Sequence, residues 1–438
     1  ALIIRLQNFT LLPVDAHSMR QTDTESVAYY FANSDANPLH PQASLIRPQT
    51  NIHGYFFLEV PVYQYILSLF YRVFGSSFII ARIFNLVLFI VSFWLVYKVV
   101  QRVFSEKLSL WAVTIYSFIP SSMFFFGHAI HPDLFAITTT LGSMYLLSSK
   151  KRRLSHTVLA TILMAISVGT RPFILMALPS LFVTLYIYKG KWWEYVMLAV
   201  GSVSVYGAWT RWQTLFPEAD HSWQYWTLGG REVLYSYEGV KHLLWRNVSG
   251  EVVGRVATAL TLFGIVFLAF KILMKAQFIS RLWKKPNQLS YHVKLFLFCI
   301  PWLAAVPVYW WVAPAGNAAH QYYANVFVLP IIFLAAFGAD SLTHFSKQKW
   351  LQMSMYGAIC AALLYNGFRT SSYFYHDIVP AHYLEIAKDI ESVIPVGNKI
   401  VYLAFNNSVP FSLAHRQGWM LGSGPTDVNS TANDVLNM

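Results

Sequence analysis

Long apolar runs separated by short polar stretches dominate the chain. A membrane-spanning helix needs about 20 mostly apolar residues, and ten runs meet or approach that length: 78–100, 109–125, 130–148, 155–169, 172–187, 194–211, 253–273, 293–312, 321–340 and 350–366. The opening "ALIIRLQ" reads as the tail of a further hydrophobic helix. The runs 155–169 and 172–187 are short and divided only by Thr170-Arg171, which predicts a hairpin whose tip stays within the membrane region. A different pattern occupies Glu59 to Gly75, "EVPVYQYILSLFYRVFG". Pro61 suits a first helical position and Gly75 a stop, with Val62, Tyr65, Ile66, Leu69, Phe70 and Val73 forming one stripe. At 1.5 Å per residue such a helix reaches about 20 Å, short of the roughly 30 Å hydrocarbon core, so it is expected to lie flat on the interface. After residue 366 the text changes: "AHYLEIAKDIESVI" (381–394) has helical periodicity, and "PVGN" and the strand-like "KIVYLAF" follow. The expected fold is therefore an all-α polytopic membrane protein of about 11 transmembrane helices with a small α/β extracytoplasmic C-terminal domain. The expected division is 1–370, including an outer loop at 14–77, and 371–438.

Composition agrees with this pattern. Hydrophobic residues make up 56% of the 438, aromatics 17% and charged residues 12%, against roughly 25% charged in a soluble domain. The net charge of +12 has no basic stripe with interleaved aromatics, so no nucleic-acid partner is implied. The cations instead report topology. The short loops 101–108, 149–155, 188–193, 274–292 and 341–349 are rich in Lys and Arg, as in Lys150-Lys151-Arg152-Arg153. The long loops 14–60 and 212–252 together carry only Arg20, Arg47, Arg231, Lys241 and Arg246. The positive-inside rule then puts the long loops outside. The expected location is the cell (inner) membrane, multi-pass, with any active site facing the periplasm or exterior. Cys299 and Cys360 both lie in apolar runs and read as small buried hydrophobes.

Candidate chemistry gathers in the outer loops. In "HSMRQTDTESVAYYF", Thr22 and Glu25 have capping-box spacing and Val27, Tyr30 and Phe31 make a stripe, which predicts a helix from Thr22 with Glu25 as its cap and Asp23 in its first turn. Glu59 opens the interfacial helix, and Asp133 in "HAIHPDLFAI" starts a span after His128 and His131. Asp23 and Asp133 are also compatible with helix-dipole or capping duty, whereas ionisable groups at span edges are functional candidates by default. Arg82 near the outer end of "FIIARIFNLVLF" and Arg171 in "GTRPF" read either as snorkelling side chains or, with Arg20, as an anion site. Tyr55, Phe56, Phe57, Trp223 and Trp226 read as groove-lining or interface-belt aromatics. This set suits transfer of a sugar from a lipid phosphate, a carboxylate taking the acceptor's proton and arginines holding the leaving phosphate. It also suits a transporter or flippase of a lipid-linked sugar, although such proteins usually place their charges at the midplane in repeated halves, and no repeat is visible here.

"HSMRQTDTESVAYYF", "NPLHPQ", "GYFFLEVPVYQYILSLFYRVFG" with "ARIFNLVLF", "HPDLFAITTTLGSMYLL" and "GTRPFILMALPSL" resemble, in order, the landmarks of bacterial GT-C glycosyltransferases. The relevant branch contains the dolichyl-phosphate-mannose protein mannosyltransferases and the aminoarabinose transferase of lipid A. The resemblance covers roughly the first 190 residues, and "HQYYANVFVLP" (His320 to Pro330) fits it more loosely. It implies inverting transfer from a polyprenyl-phosphate sugar donor to a glycan, lipid or protein acceptor among membrane lipids, with no cofactor and no indicated divalent cation. On that resemblance Asp23 is the catalytic base, Glu59 and Asp133 face the same cavity, and Arg171 contacts phosphate. Arg20, Arg82, His128, His131, His320 and Tyr55 complete the expected substrate contacts. Asp23-Thr24-Glu25-Ser26 and Glu59-Val60-Pro61 depart from the "D-E-T-R" and "E-K-P" of aminoarabinose transferases by two cations, a deficit Arg20 is placed to offset. An oligosaccharyltransferase or ligase using a pyrophosphate-linked donor ranks lower, since Asp15-Ala16-His17 is a poor substitute for a metal-binding "D-x-D".

Overall fold

The computed structural model describes residues 2–47, 51–219, 229–230, 232–274, 289–376, 379–403 and 408–421. Trp223, Trp226, Arg231 and much of the cation-rich loop 274–292 lie outside these described residues. Helix α1 (Ser18–Asn33) and strand β1 (Leu45–Ile46) precede α2 (Val62–Phe74). The apolar runs that follow are all helical: α3 (Phe78–Val103), α4 (Glu106–Phe118), α5 (Asp133–Leu147), α6 (Leu154–Thr170), α7 (Leu178–Ile187), α8 (Trp192–Gln213), α9 (Arg255–Leu273), α10 (Tyr291–Ala304), α11 (Val328–Thr343) and α12 (Lys349–Phe374). The C-terminal segment adds α13 (Ala381–Val393), β2 (Ile400–Leu403), α14 (Val409–Leu413) and β3 (Gly418–Leu421).

Among the described residues, four helical stretches are long and apolar enough to cross a membrane: Phe78–Val103, Arg255–Leu273, Tyr291–Val312 and Gln321–Thr343. Asp133–Leu147, Leu154–Thr170 and Pro172–Ile187 are apolar but shorter. Prolines account for several breaks. Pro120 lacks an N–H and forces Ile119 into an extended conformation, so the 109–125 run divides into α4 and the short helix Pro120–Phe124. Helices α9 and α11 cross at Gly264 and Gly338, where a methyl group on either would overlap the backbone carbonyl of Leu334 or Leu260. Such small residues let helix backbones approach closely, which is how spans gain packing without a hydrophobic drive between them.

Two expectations about local structure turn out differently. Helix α1 begins at Ser18, after His17 in a left-handed conformation (φ 56°), so Thr22 and Glu25 lie inside the helix and cap nothing. The Thr22 hydroxyl donates to the Met19 carbonyl instead. In α2 the helix and its Gly75 stop are as expected, and the C-terminal half of its apolar stripe, Leu69, Phe70 and Val73, is exposed, while Val62, Tyr65 and Ile66 pack against the protein beside buried Tyr63, Leu67 and Tyr71. That is the arrangement of a helix lying in an interface.

The boundary at 370/371 falls inside α12. Beyond it, β2 and β3 pair in parallel, and β3 also pairs in parallel with β1 of the first loop, giving the order β1-β3-β2. Leu45 lies opposite Gly418 and Ile46 opposite Trp419. The C-terminal segment thus takes one strand of its sheet from the loop that carries α1.

Candidate active site

The charged side chains of the first loop converge with those of α5 and the α6 hairpin tip. Arg171 follows α6 and precedes Pro172, which favours an extended backbone at the residue before it; its φ of −141° and ψ of 95° turn it out of the helix. Its Nε donates to the Asp133 carboxylate Oδ1, and its Nη1 lies 3.6 Å from Glu59 Oε2. Asp133, at the first position of α5, also accepts from Asn325 Nδ2 at 2.8 Å, and His131 Nδ1 lies 3.3 Å away. Glu59 accepts from Arg20 Nη2 at 2.7 Å on both oxygens and from Gln64 Nε2 at 2.7 Å. Arg20, Glu59, Arg171 and Asp133 therefore form one continuous chain of alternating charge. Burial alone would raise the Glu59 carboxyl, but Arg20 and Arg171 bring it below its ordinary value.

Asp23 stands apart from this chain. It sits one turn along α1 from Arg20, is 6% exposed, and accepts a hydrogen bond from the Ser408 hydroxyl at 3.2 Å. Burial pushes its carboxyl up to about 6, with Arg20 and Ser408 pulling the other way. It opens on a cavity of about 140 Å3 lined also by His17, Arg20, Phe56, Leu58, Arg171, His320, Tyr322 and Tyr323. Arg20, Asp23, Arg171 and His320 thus share one cavity, and Glu59 and Asp133 stand behind its two arginines as their ion-pair partners. The histidines are kept neutral: burial brings His17 down to about 3 and His320 to about 4. Neutral imidazoles offer one N–H and one acceptor each. Among the described residues no group of three His, Cys, Asp or Glu side chains is placed to hold a metal ion.

Three expected contacts lie elsewhere. Arg82 is fully buried and its Nη1 donates to the carbonyls of Asn8 and Phe9, both at 2.9 Å, and to that of Leu11. Its Nη2 is 3.8 Å from Asp15 Oδ2. His128 Nε2 donates to the same Asp15 oxygen at 2.8 Å, and Gln21 Nε2 to Asp15 Oδ1 at 2.6 Å. Arg82 and His128, expected as substrate contacts, thus belong to a buried cluster around Asp15 that holds the start of the first loop. Tyr55 is the third: it stacks with His53 at 5.2 Å and meets Phe216 at 5.3 Å. Extended backbone alternates sides, so Phe56 and Leu58 face the cavity while Tyr55 and Phe57 join the aromatic cluster around Trp209 and Phe216.

Glu25, expected to be a cap, is instead fully buried, with His415 Nδ1 3.9 Å away, and burial pushes its carboxyl up to about 8. Sequence reasoning missed His17, Asn325, Tyr322 and Ser408. Tyr322 and Asn325 belong to the "HQYYANVFVLP" run, whose polar residues inside an apolar stretch were the available signal. Nothing in the local sequence marks Ser408.

A sequence profile of the dolichyl-phosphate-mannose-protein mannosyltransferase family matches residues 59–209. That stretch holds Glu59, Asp133 and Arg171. The chain also superposes, over 99% of its own length and 86% of the other, on ArnT from Cupriavidus metallidurans bound to undecaprenyl phosphate, with a TM-score of 0.58 at 11% identity. The fold is that of the GT-C glycosyltransferases. A zinc- and sulfate-bound oligosaccharyltransferase from Archaeoglobus fulgidus shares the GT-C architecture at a TM-score of 0.55 and 12% identity, over 95% of this chain and 61% of that one. No match was found among curated protein sequences. On this GT-C frame, Asp23 and Arg20 come from the first loop, ahead of the profile match, and Ser408 from the C-terminal segment beyond it.

Proposed function

We propose that this protein is an integral membrane glycosyltransferase that moves a sugar from a polyprenyl-phosphate donor to a hydroxyl-bearing acceptor at the outer face, with inversion. The observation that carries this reading is the state of Asp23: it is the carboxylate at the cavity that no arginine clamps, and it faces Arg20 and Arg171 across about 140 Å3. Asp23 takes the proton of the acceptor hydroxyl as that oxygen bonds to the anomeric carbon. The bond from the anomeric carbon to the phosphate oxygen breaks, and its electron pair leaves with the polyprenyl phosphate. A base with a pKa near 6 is mostly deprotonated at neutral pH yet still basic enough to help. Arg20 and Arg171 stabilise the negative charge that grows on the phosphate. Glu59 and Asp133 act one step removed, fixing the two guanidiniums before the donor arrives. The undecaprenyl phosphate carried by the ArnT structure supports the donor class.

The test is transfer of labelled sugar from a synthetic polyprenyl-phosphate sugar by the purified protein, compared with Asp23→Asn. Loss of transfer in a folded variant is expected. An Asn variant with normal turnover rejects the base, and sugar crossing sealed vesicles with no glycosidic bond formed points to translocation instead.

A further inference from the structure

The arginines of the Asp23 region all face carboxylates or carbonyls. In a second group only one of three arginines does. Between the start of α9 and the end of α12 lies a pocket of about 350 Å3 whose lining includes Trp245, Arg246, Glu251, Arg255, Arg369 and Tyr373. Glu251 accepts from Arg246 Nε at 3.0 Å. Arg255 lies over the Trp245 ring, 5.2 Å from its centre. Among the described residues no carboxylate comes within ion-pair distance of Arg255 or Arg369. Three guanidiniums thus face one carboxylate, an arrangement whose mutual repulsion an anion would relieve.

The surroundings narrow the anion. Guanidiniums match phosphate oxygens through paired N–H donors, better than a compact ammonium does. The pocket lies at the N-terminus of α9, where the helix dipole adds to the attraction. Trp245 is 58% and Tyr373 54% exposed at its rim, and α9 is one of the four stretches long enough to cross a membrane. Exposed Trp and Tyr at the end of a span mark headgroup level. The pocket also shares Arg246, Glu251 and Tyr373 with a larger chamber of about 770 Å3, which in turn shares His17, Met19 and His320 with the Asp23 cavity.

We infer that Arg246, Arg255 and Arg369 form a binding site for the phosphate headgroup of an anionic membrane lipid, at the mouth of the route to the Asp23 cavity. The inference rests on the arginine pocket itself and holds whether or not Asp23 is the base.

Phosphatidic acid is the probe. The full chain is placed in phosphatidylcholine nanodiscs doped with phosphatidic acid, and the lipid retained after release into detergent is counted by native mass spectrometry. Replacing Arg255→Gln together with Arg369→Gln removes two charge-assisted contacts, and retention is expected to fall about tenfold or more. Replacing Arg211→Gln, an exposed arginine that donates to the Thr214 hydroxyl, is expected to leave retention unchanged. Should the double variant fail to fold, the exposed Arg369→Gln change alone is expected to weaken retention severalfold. Three results overturn the inference: a folded double variant that keeps the lipid, an Arg211→Gln variant that loses as much as the double variant, or a site that inorganic phosphate fills while phosphatidic acid is not retained.

Discussion

Two polar clusters flank α1, and both are built from an aspartate, an arginine, a histidine and an amide. In one, Asp133, His131 and Asn325 gather around Arg171, which lines the cavity that Asp23 faces. In the other, Asp15, Arg82, His128 and Gln21 are sealed, and Arg82 also holds three backbone carbonyls of the first loop. Residue type does not separate a working site from a clamp. What separates them is where the remaining hydrogen-bonding capacity points: into a cavity at Arg20 and Arg171, into the chain's own backbone at Arg82. Arg82 is fully buried, gives its Nη1 to backbone carbonyls and does not line the Asp23 cavity, so it acts on the chain itself.

The largest expected effect breaks the comparison on the cavity side. Asp23→Asn keeps the shape of the carboxylate and removes its basicity, so transfer should fall about 10²- to 10⁴-fold with the thermal unfolding midpoint unchanged. On the sealed side the expectation reverses. Arg82→Met leaves Asp15 and several carbonyls without their partner, and loss of one member of a buried ion pair costs about 3–5 kcal/mol. The readout is a lower unfolding midpoint with near-normal turnover per folded molecule. A variant with normal stability and slow transfer would return Arg82 to the substrate site.

Glu25 is a third case, buried without an arginine. Its folded pKa of about 8 stands above the ordinary 4.5, so the folded protein holds a proton there that the unfolded chain releases. That contribution to stability is fully present below pH 4.5 and is lost as pH rises through 8. The decline has a limiting slope of about 1.4 kcal/mol per pH unit. Glu25→Gln should flatten it, measured by denaturant unfolding across that range. The smallest effect concerns Ser408, whose hydroxyl stabilises the charged form of Asp23. Ser408→Ala should raise the pKa of Asp23 and move the acid limb of kcat/KM upward from about pH 6. The shift expected from one hydrogen bond is up to about one pH unit, and Ser408→Thr should restore the profile.

These contrasts also mark how far the sequence could be read. The helical runs, the helix from Pro61 to Gly75 and the gathering of Glu59 and Asp133 at one face follow from periodicity, proline placement and charges at span ends, whereas the pairing of both with Arg171 is seen only in the structure. The start of α1 does not: Thr22 and Glu25 satisfy a capping spacing, but the chain enters the helix four residues earlier through the positive φ of His17, which a non-glycine residue does not advertise. The fate of Arg82 is invisible for another reason. Its acceptors are backbone carbonyls some 70 residues away in the chain, and carbonyls have no sequence signature. Ser408 reaches Asp23 across 385 positions, and no local pattern carries that information.

The pairing of β1 with β3 has a consequence for how the protein comes into being. Residues 45–46 leave a ribosome long before the strand they join at Gly418 and Trp419 has been made. Long-range strand pairing is slow, and chains acquire structure in the order in which they are made. The first loop, with α1 and Asp23, therefore waits in an unfinished state while helix after helix is threaded into the bilayer. The surroundings of Asp23 are completed only when that strand docks, so a chain stopped before residue 408 lacks both Ser408 at Asp23 and the partner of β1.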